Sequence, residues 1–202
     1  MLDHRLRVLL GPTLDRLAAG LVRAGVGPGV VTLAGLLTAL GAAFAAGVGA
    51  WLPALALWLV SRLLDGLDGP VARRSARDGD LGGFLDLMAD FVAYSAFVVG
   101  CAIGMPAARV PALVLLLTYY LNGTSLLAVS SAAERRGLHD DLDGSGRTFV
   151  FLPTLAEGTE TIVAHALFVL WPAGMATTMW VFAAVVGVSV LQRIAVGVHT
   201  LR

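Results

Sequence analysis

The chain contains no lysine and a single cysteine, and charged residues make up only 14% of its 202 positions, against about a quarter in an ordinary soluble domain. Its 14 arginines are balanced by 14 aspartates and glutamates, so the basic excess of a nucleic-acid binder is missing. One cysteine, Cys101, excludes an intramolecular disulfide and a multi-cysteine metal site. Set among Val98, Val99 and Ile103, it reads as a small packed hydrophobe. What the chain has in abundance is apolar surface: 57% of its residues are hydrophobic and the mean hydropathy is +0.82. That content excludes intrinsic disorder and argues against a soluble globule.

Apolar runs near the length of about 20 residues that spans a bilayer core occur six times. They cover Val30 to Leu52, Pro53 to Asp68, Gly82 to Ile103, Pro111 to Ala132, Glu160 to Trp171 and Ala173 to Val196. Before them, Leu10, Leu14, Leu17 and Leu21 recur at helical spacing while Asp15, Arg16 and Arg23 lie off the stripe. This pattern predicts an amphipathic helix, with Pro12 in its first turn and Gly25 at its stop. Such a helix suits the membrane interface or packing on the cytoplasmic ends of a bundle. The first apolar run begins too far into the chain for a secretory signal. The expected organisation is all-α: an interfacial segment over residues 1–29 and a catalytic domain of six transmembrane helices over residues 30–202.

Arginine placement sets the orientation, because cytoplasmic loops near span ends carry the positive excess. Arg5, Arg7, Arg16 and Arg23 precede the first run, Arg73, Arg74 and Arg77 follow the second, Arg135, Arg136 and Arg147 follow the fourth, and Arg193 and Arg202 close the chain. The other side holds only Arg109, and Arg62 falls within the second run. Both termini are therefore expected in the cytoplasm, which requires an even number of spans.

Four aspartates interrupt the apolar background. Asp65 and Asp68 are three apart, and Asp86 and Asp90 four apart, so each pair shares one helix face. The short connection between the two segments predicts antiparallel neighbours whose acidic faces meet near the cytoplasmic side. A carboxylate at the centre of a membrane helix costs about 2.5 to 3.5 kcal/mol on insertion scales, so four together need a positive partner. Hard oxygen donors on two rigid helices suit Mg²⁺ or Mn²⁺, especially a pair of ions. The competing reading is a capping and ion-pair cluster without metal. Gly69 and Gly82 permit close backbone approach, and Arg73, fixed between the acidic pairs, suits bidentate phosphate recognition.

These residues resemble the motif of the CDP-alcohol phosphotransferase (CDP-alcohol phosphatidyltransferase) family, Asp-x2-Asp-Gly-x2-Ala-Arg-x8-9-Gly-x3-Asp-x3-Asp. The chain matches it at Asp65, Asp68, Gly69, Ala72, Arg73, Gly82, Asp86 and Asp90, with an eight-residue spacer. The resemblance implies that Asp65, Asp68 and Asp86 hold two divalent cations, Mg²⁺ or Mn²⁺. It implies that Asp90 contacts metal and is the base that takes the acceptor's proton, and that Gly69, Ala72, Arg73 and Gly82 line the site of the cytidine nucleotide and its diphosphate. The implied reaction moves a substituted phosphate, phosphatidyl in the main branch, from a CDP-linked donor such as CDP-diacylglycerol to a small alcohol, releasing CMP in phospholipid biosynthesis. The implied setting is a bacterial cytoplasmic (inner) membrane, with the site facing the cytoplasm, in contact with membrane lipids and without nucleic acid. Dimerisation is common in the family, and no sequence feature here derives a homodimer. The chain departs from the family's Pro-Asn-x-x-Thr pattern before the first span: it reads Pro28-Gly29-Val30-Val31-Thr32.

The acceptor must be recognised outside the motif. Candidates are Asn122, Thr124, Ser125, Arg135, Arg136, Arg147, Glu157, Glu160 and Arg193, with Arg147 and Arg193 favoured for an acceptor that carries phosphate. The competing reading is that those arginines are topology signals in contact with lipid headgroups. Asp140, Asp141, Asp143 and Gly144 resemble the start of a calcium loop, without the glutamate expected at the twelfth position, and read as a solvated loop. Tyr119 and Tyr120 are expected inside the bundle with hydroxyl partners. Two other classes place acids in membrane spans: cation-coupled transporters, which show related halves, and aspartate-rich prenyltransferases, which need a second acidic motif. The chain shows neither feature.

Overall fold

The computed structural model describes residues 2–76, 79–137, 155–156 and 158–200. All of its regular structure among those residues is helical: α1 (Leu2–Arg23), α2 (Pro28–Gly47), α3 (Trp51–Arg74), α4 (Asp80–Gly104), α5 (Arg109–Arg135), α6 (Gly158–Leu170) and α7 (Met175–Thr200). Short 3₁₀ turns, Pro106–Ala108 and Pro172–Gly174, lead into α5 and α7.

Among the described residues, four segments are long and apolar enough to cross a membrane: Pro28–Gly47, Asp80–Gly104, Pro106–Arg135 and Pro172–His199. Their outward faces are apolar, as Phe44, Leu113, Val181 and Leu191 illustrate, which is the surface a bilayer covers rather than water. The chain is an integral membrane protein. The other two apolar runs also form helices, with different limits. Helix α3 is 24 residues long and carries Arg62, Asp65, Asp68, Arg73 and Arg74. Helix α6 has only 13 residues, about 20 Å at 1.5 Å per residue.

Helix α2 is the hub, packing extensively on both α3 and α4. Its inward face is alanine-rich, with Ala39, Ala42, Ala43 and Ala46 buried, and Gly100 and Gly104 of α4 lie directly against it. A Cβ at Gly100 would collide with the Ala43 carbonyl, and one at Gly104 with the Ala46 carbonyl. Small residues four apart allow this approach, and in a membrane such packing holds helices together. The expected meeting of the acidic faces of α3 and α4 takes place through side chains, Arg62 of α3 lying 2.7 Å from Asp90 of α4. Their backbones pack far more on α2 than on each other, which leaves a gap between them at the level of the aspartates. Deeper in, Trp58 of α3 meets Tyr94 and Phe97 of α4 at ring-centroid distances of 5.7 and 4.6 Å.

A buried centre joins these helices to α5, α6 and α7. His165 is fully buried and ringed by Trp58, Phe97, Phe168 and Phe182. Its Nε2 lies 3.0 Å from the Tyr119 hydroxyl, and the Trp58 indole N–H donates to the Ile162 carbonyl at 3.3 Å. Tyr119 thus has the hydroxyl partner expected of it, whereas Tyr120, 70% exposed, points out of the bundle: adjacent helix positions are about 100° apart and cannot share a face. Cys101 is buried, as expected.

Helix α1 packs on α3. Leu14 and Leu21 join buried Ala18, Val31, Leu67 and Val71, while Leu17 is exposed. Pro12 lies inside the helix rather than in its first turn. Gly25, at φ +77°, ends it as expected: its N–H donates to the Val22 carbonyl and the Val26 N–H to Leu21.

Candidate active site

The gap between α3 and α4 is where the four aspartates come together. On α3, the helical repeat turns Asp65 and Asp68 toward the gap together with Arg62, one turn above Asp65. On α4, Asp86 and Asp90 are half-buried and face it from the other side. Asp68 is 8% exposed. It accepts a 2.9 Å hydrogen bond from Thr32 Oγ1 of α2, a hydroxyl that also lies 3.2 Å from the Pro28 carbonyl. Asp68 and Asp86 are close enough to share a hydrogen bond across the gap. Thr32 belongs to the stretch in which Gly29 replaces the usual asparagine, so the retained half of that pattern reaches the site directly.

Arg62 is the feature that the sequence reading left aside as a residue within a span. Its Nη1 lies 2.7 Å from Asp90 Oδ1 and 3.5 Å from Asp65 Oδ1. The guanidinium sits over the rings of both Trp58 and Tyr94, 4.9 Å from each centroid, and its Nε donates to Ser61 Oγ at 3.3 Å. The i,i+3 spacing from Arg62 to Asp65 was readable in the sequence; the bond to Asp90 on another helix was not.

The donor chemistry of the site fits divalent cations. Four carboxylates converge on one gap, and hard oxygen ligands are what Mg²⁺ and Mn²⁺ take. Among the described residues, no group of three or more acidic, histidine or cysteine side chains is drawn together closely enough to hold a metal ion as it stands; the cation nearest to two of the carboxylates is Arg62. Space around the motif glycines fits a ligand as well. A Cβ at Gly82 would meet nothing within 4 Å, and one at Gly69 would meet only Arg73 Nη1, at 3.4 Å. Ala72 is half-buried beside the exposed Arg73.

The acceptor candidates divide. Arg193 of α7 is 5% exposed, and its Nε and Nη1 have no hydrogen-bond partner. Asn122 Oδ1 and Glu160 Oε2 are likewise buried and unpartnered. Ser125 Oγ donates to the Asn122 carbonyl at 2.8 Å, and Thr124, Arg135 and Arg136 are exposed. Arg147, Glu157 and the Asp140 to Gly144 segment lie outside the described residues.

Comparison with known proteins bears on the whole chain. Residues 26–191 match the family model described as CDP-alcohol phosphatidyltransferase. Inner membrane protein YnjF of Escherichia coli (strain K12) is 34% identical over 203 residues, covering 100% of this chain and 98% of that one. Among solved structures, phosphatidylinositol phosphate synthase PgsA1 of Mycobacterium tuberculosis shares the fold. Its complex with manganese and citrate superposes with a TM-score of 0.71 at 21% identity, covering 91% of this chain and 88% of that one. Its CDP-DAG-bound form gives 0.70 at 23% identity, covering 91% and 92%. A motif that the sequence spells in full, a helical bundle that brings its aspartates to one gap, and a family match over most of the length lead to one conclusion: the chain belongs to the CDP-alcohol phosphatidyltransferase family.

Proposed function

We propose that this protein transfers a phosphatidyl group from CDP-diacylglycerol to a small alcohol, releasing CMP. The convergence of Asp65, Asp68, Asp86 and Asp90 on the α3–α4 gap carries the reading, within a chain of this family. In the reaction, the acceptor oxygen attacks the phosphorus that bears the diacylglycerol. The new P–O bond forms as the bond to the bridging oxygen of the diphosphate breaks, CMP leaves with that electron pair, and the acceptor's proton passes to Asp90.

Asp65, Asp68 and Asp86, with Asp90 at the edge, would hold two divalent cations, Mg²⁺ or Mn²⁺; a crystal structure of PgsA1 with manganese supports this assignment. Bound there, the cations would neutralise charge that builds on the diphosphate. The chain's own groups do the rest. Gly69, Ala72 and Gly82 leave room for the nucleotide, and Arg73 meets phosphate oxygens as a planar fork. Asp90 keeps Oδ1 on Arg62, leaving Oδ2 for the acceptor hydroxyl. Arg193 is the candidate partner of an anionic acceptor, because two of its buried nitrogens lack partners and an unmet buried donor is costly.

In the membrane, residues 1–29 form the interfacial segment, and residues 30–202 a six-span catalytic domain in a bacterial cytoplasmic membrane. Both termini and the gap mouth face the cytoplasm, as the arginine distribution requires. The diacylglycerol chains stay in the leaflet while the headgroup reaches the gap. The test is purified protein in lipid with CDP-diacylglycerol and Mn²⁺, assayed for CMP release against a panel of alcohols. Release with one acceptor, lost in Asp86→Ala, supports the reading. Silence across the panel without metal-dependent binding of the donor contradicts it.

A further inference from the structure

We propose that Arg62 is a positioning residue: the resident counter-ion of the acidic gap, which fixes Asp90 and Asp65 and stabilises the metal-free protein. The proposal rests on the reading of those aspartates given above.

The geometry separates Arg62 from an ordinary ion pair. Its side chain is 4% exposed, while those of Asp65 and Asp90 are 29% and 28% exposed. The cation is therefore set into the wall, and the carboxylates stand between it and the gap. A ligand entering the gap meets free carboxylate oxygens first, with the guanidinium behind them. Nη1 engages only Oδ1 of each partner, so the second oxygen of each carboxylate stays available.

The guanidinium is held from several directions. The Trp58 and Tyr94 rings lie edge to face and each takes it at 4.9 Å, an arrangement in which the negative ring faces attract a cation. Ser61 Oγ accepts from Nε while donating to the Trp58 carbonyl at 2.8 Å. Arg62 also ties α3 to α4 where the backbones stand apart, since Asp90 belongs to α4 and Trp58 to α3. A lysine has the charge without the planar fork or the stacking face. Loss of the charge would leave at least two carboxylates of a low-dielectric site without a cation, a strongly destabilising arrangement until metal enters. Charge on Arg62 and charge on a bound divalent ion thus meet the same demand, one in the empty site and the other in the loaded one.

The experiment measures thermal unfolding of the full chain in detergent after chelation, with and without added Mn²⁺, for the parent, Arg62→Lys, Arg62→Met and Asp86→Ala. The expected result is that chelated R62M melts lower than the parent by roughly 5 °C or more and recovers on Mn²⁺ addition, so its Mn²⁺-induced shift exceeds the parent's. R62K keeps a shift near the parent's, because the charge remains. It nonetheless loses turnover, on the order of tenfold to a hundredfold, because the fork that aims Asp90 is gone, with the KM for CDP-diacylglycerol unchanged within about twofold. Should R62M fold only when Mn²⁺ is present, chelation then unfolding it supports the proposal equally. Equal Mn²⁺ shifts in parent and R62M, or parental turnover in R62K, overturn it while leaving the metal reading intact. A parent that shows no Mn²⁺ shift, matching Asp86→Ala, overturns the metal reading and this proposal with it.

Discussion

The Thr32 hydroxyl, at the start of α2, donates a 2.9 Å hydrogen bond to Asp68 Oδ2, 36 residues away on α3. Asp68 is among the few charged groups buried in the structure, and this bond holds one of its two oxygens. Thr32→Val is nearly isosteric and removes only the donor. A hydrogen bond to a charged group contributes about 1.5 to 3 kcal/mol, so kcat/KM for CMP release should fall by about tenfold or more. Thr32→Ser should stay near the parent, and equal activity of the valine variant would show that Asp68 does not depend on this contact.

Tyr119→Phe tests the buried polar centre rather than the site. His165 Nδ1 already lacks a partner, and the phenylalanine variant takes away the contact at Nε2. A fully buried imidazole with neither nitrogen met should cost about 1 to 3 kcal/mol. Thermal unfolding in detergent should register a lower midpoint, with the specific activity of the folded fraction preserved.

Gly100→Leu tests how α2 and α4 approach. Even a Cβ there meets the Ala43 carbonyl, and a backbone atom cannot rotate away, so the helices must separate and the aspartate gap must change shape. Overpacking of this kind costs about 1 to 3 kcal/mol. Both the unfolding midpoint and CMP release should fall. Gly187→Leu, where a Cβ meets nothing within 4 Å, should change neither by a comparable amount.

Arg193→Ala bears on the acceptor. With an anionic acceptor, the KM for that alcohol should rise by roughly tenfold or more while the KM for CDP-diacylglycerol holds, because loss of a charge-assisted contact weakens only the group it touches. An unchanged acceptor KM would assign Arg193 to the bundle's own packing.

How much of this was legible in the sequence depends on the range of the interaction involved. The aspartate spacings were informative because an acid in an apolar run is costly and helix periodicity places residues three and four apart together. All six apolar runs correspond to helices, α2 through α7, since run length and hydropathy are local properties. Two features needed the third dimension. Loop length suggested that α3 and α4 meet, and they do so through side chains, while Gly100 and Gly104 seat the backbone of α4 on α2. Arg62 looked like a stray charge because its partner Asp90 lies 28 residues further on. The tyrosine pair was half read: a hydroxyl partner was found for Tyr119, whereas Tyr120 falls on the outward face. Pro12 suggested a helix start, but the helix begins at Leu2 and runs through it.

The most direct test of the account is Asp90→Asn. The amide keeps the size of the side chain and can still accept from Arg62 through its oxygen, but it cannot take a proton from the acceptor. In lipid with CDP-diacylglycerol, Mn²⁺ and the acceptor that supports CMP release by the parent, the variant should bind the donor in a metal-dependent way. Its turnover should fall by about 10² to 10⁴, the contribution typical of a general base. CMP release by the variant at close to the parental rate would contradict the role assigned to Asp90 and the reaction built on it.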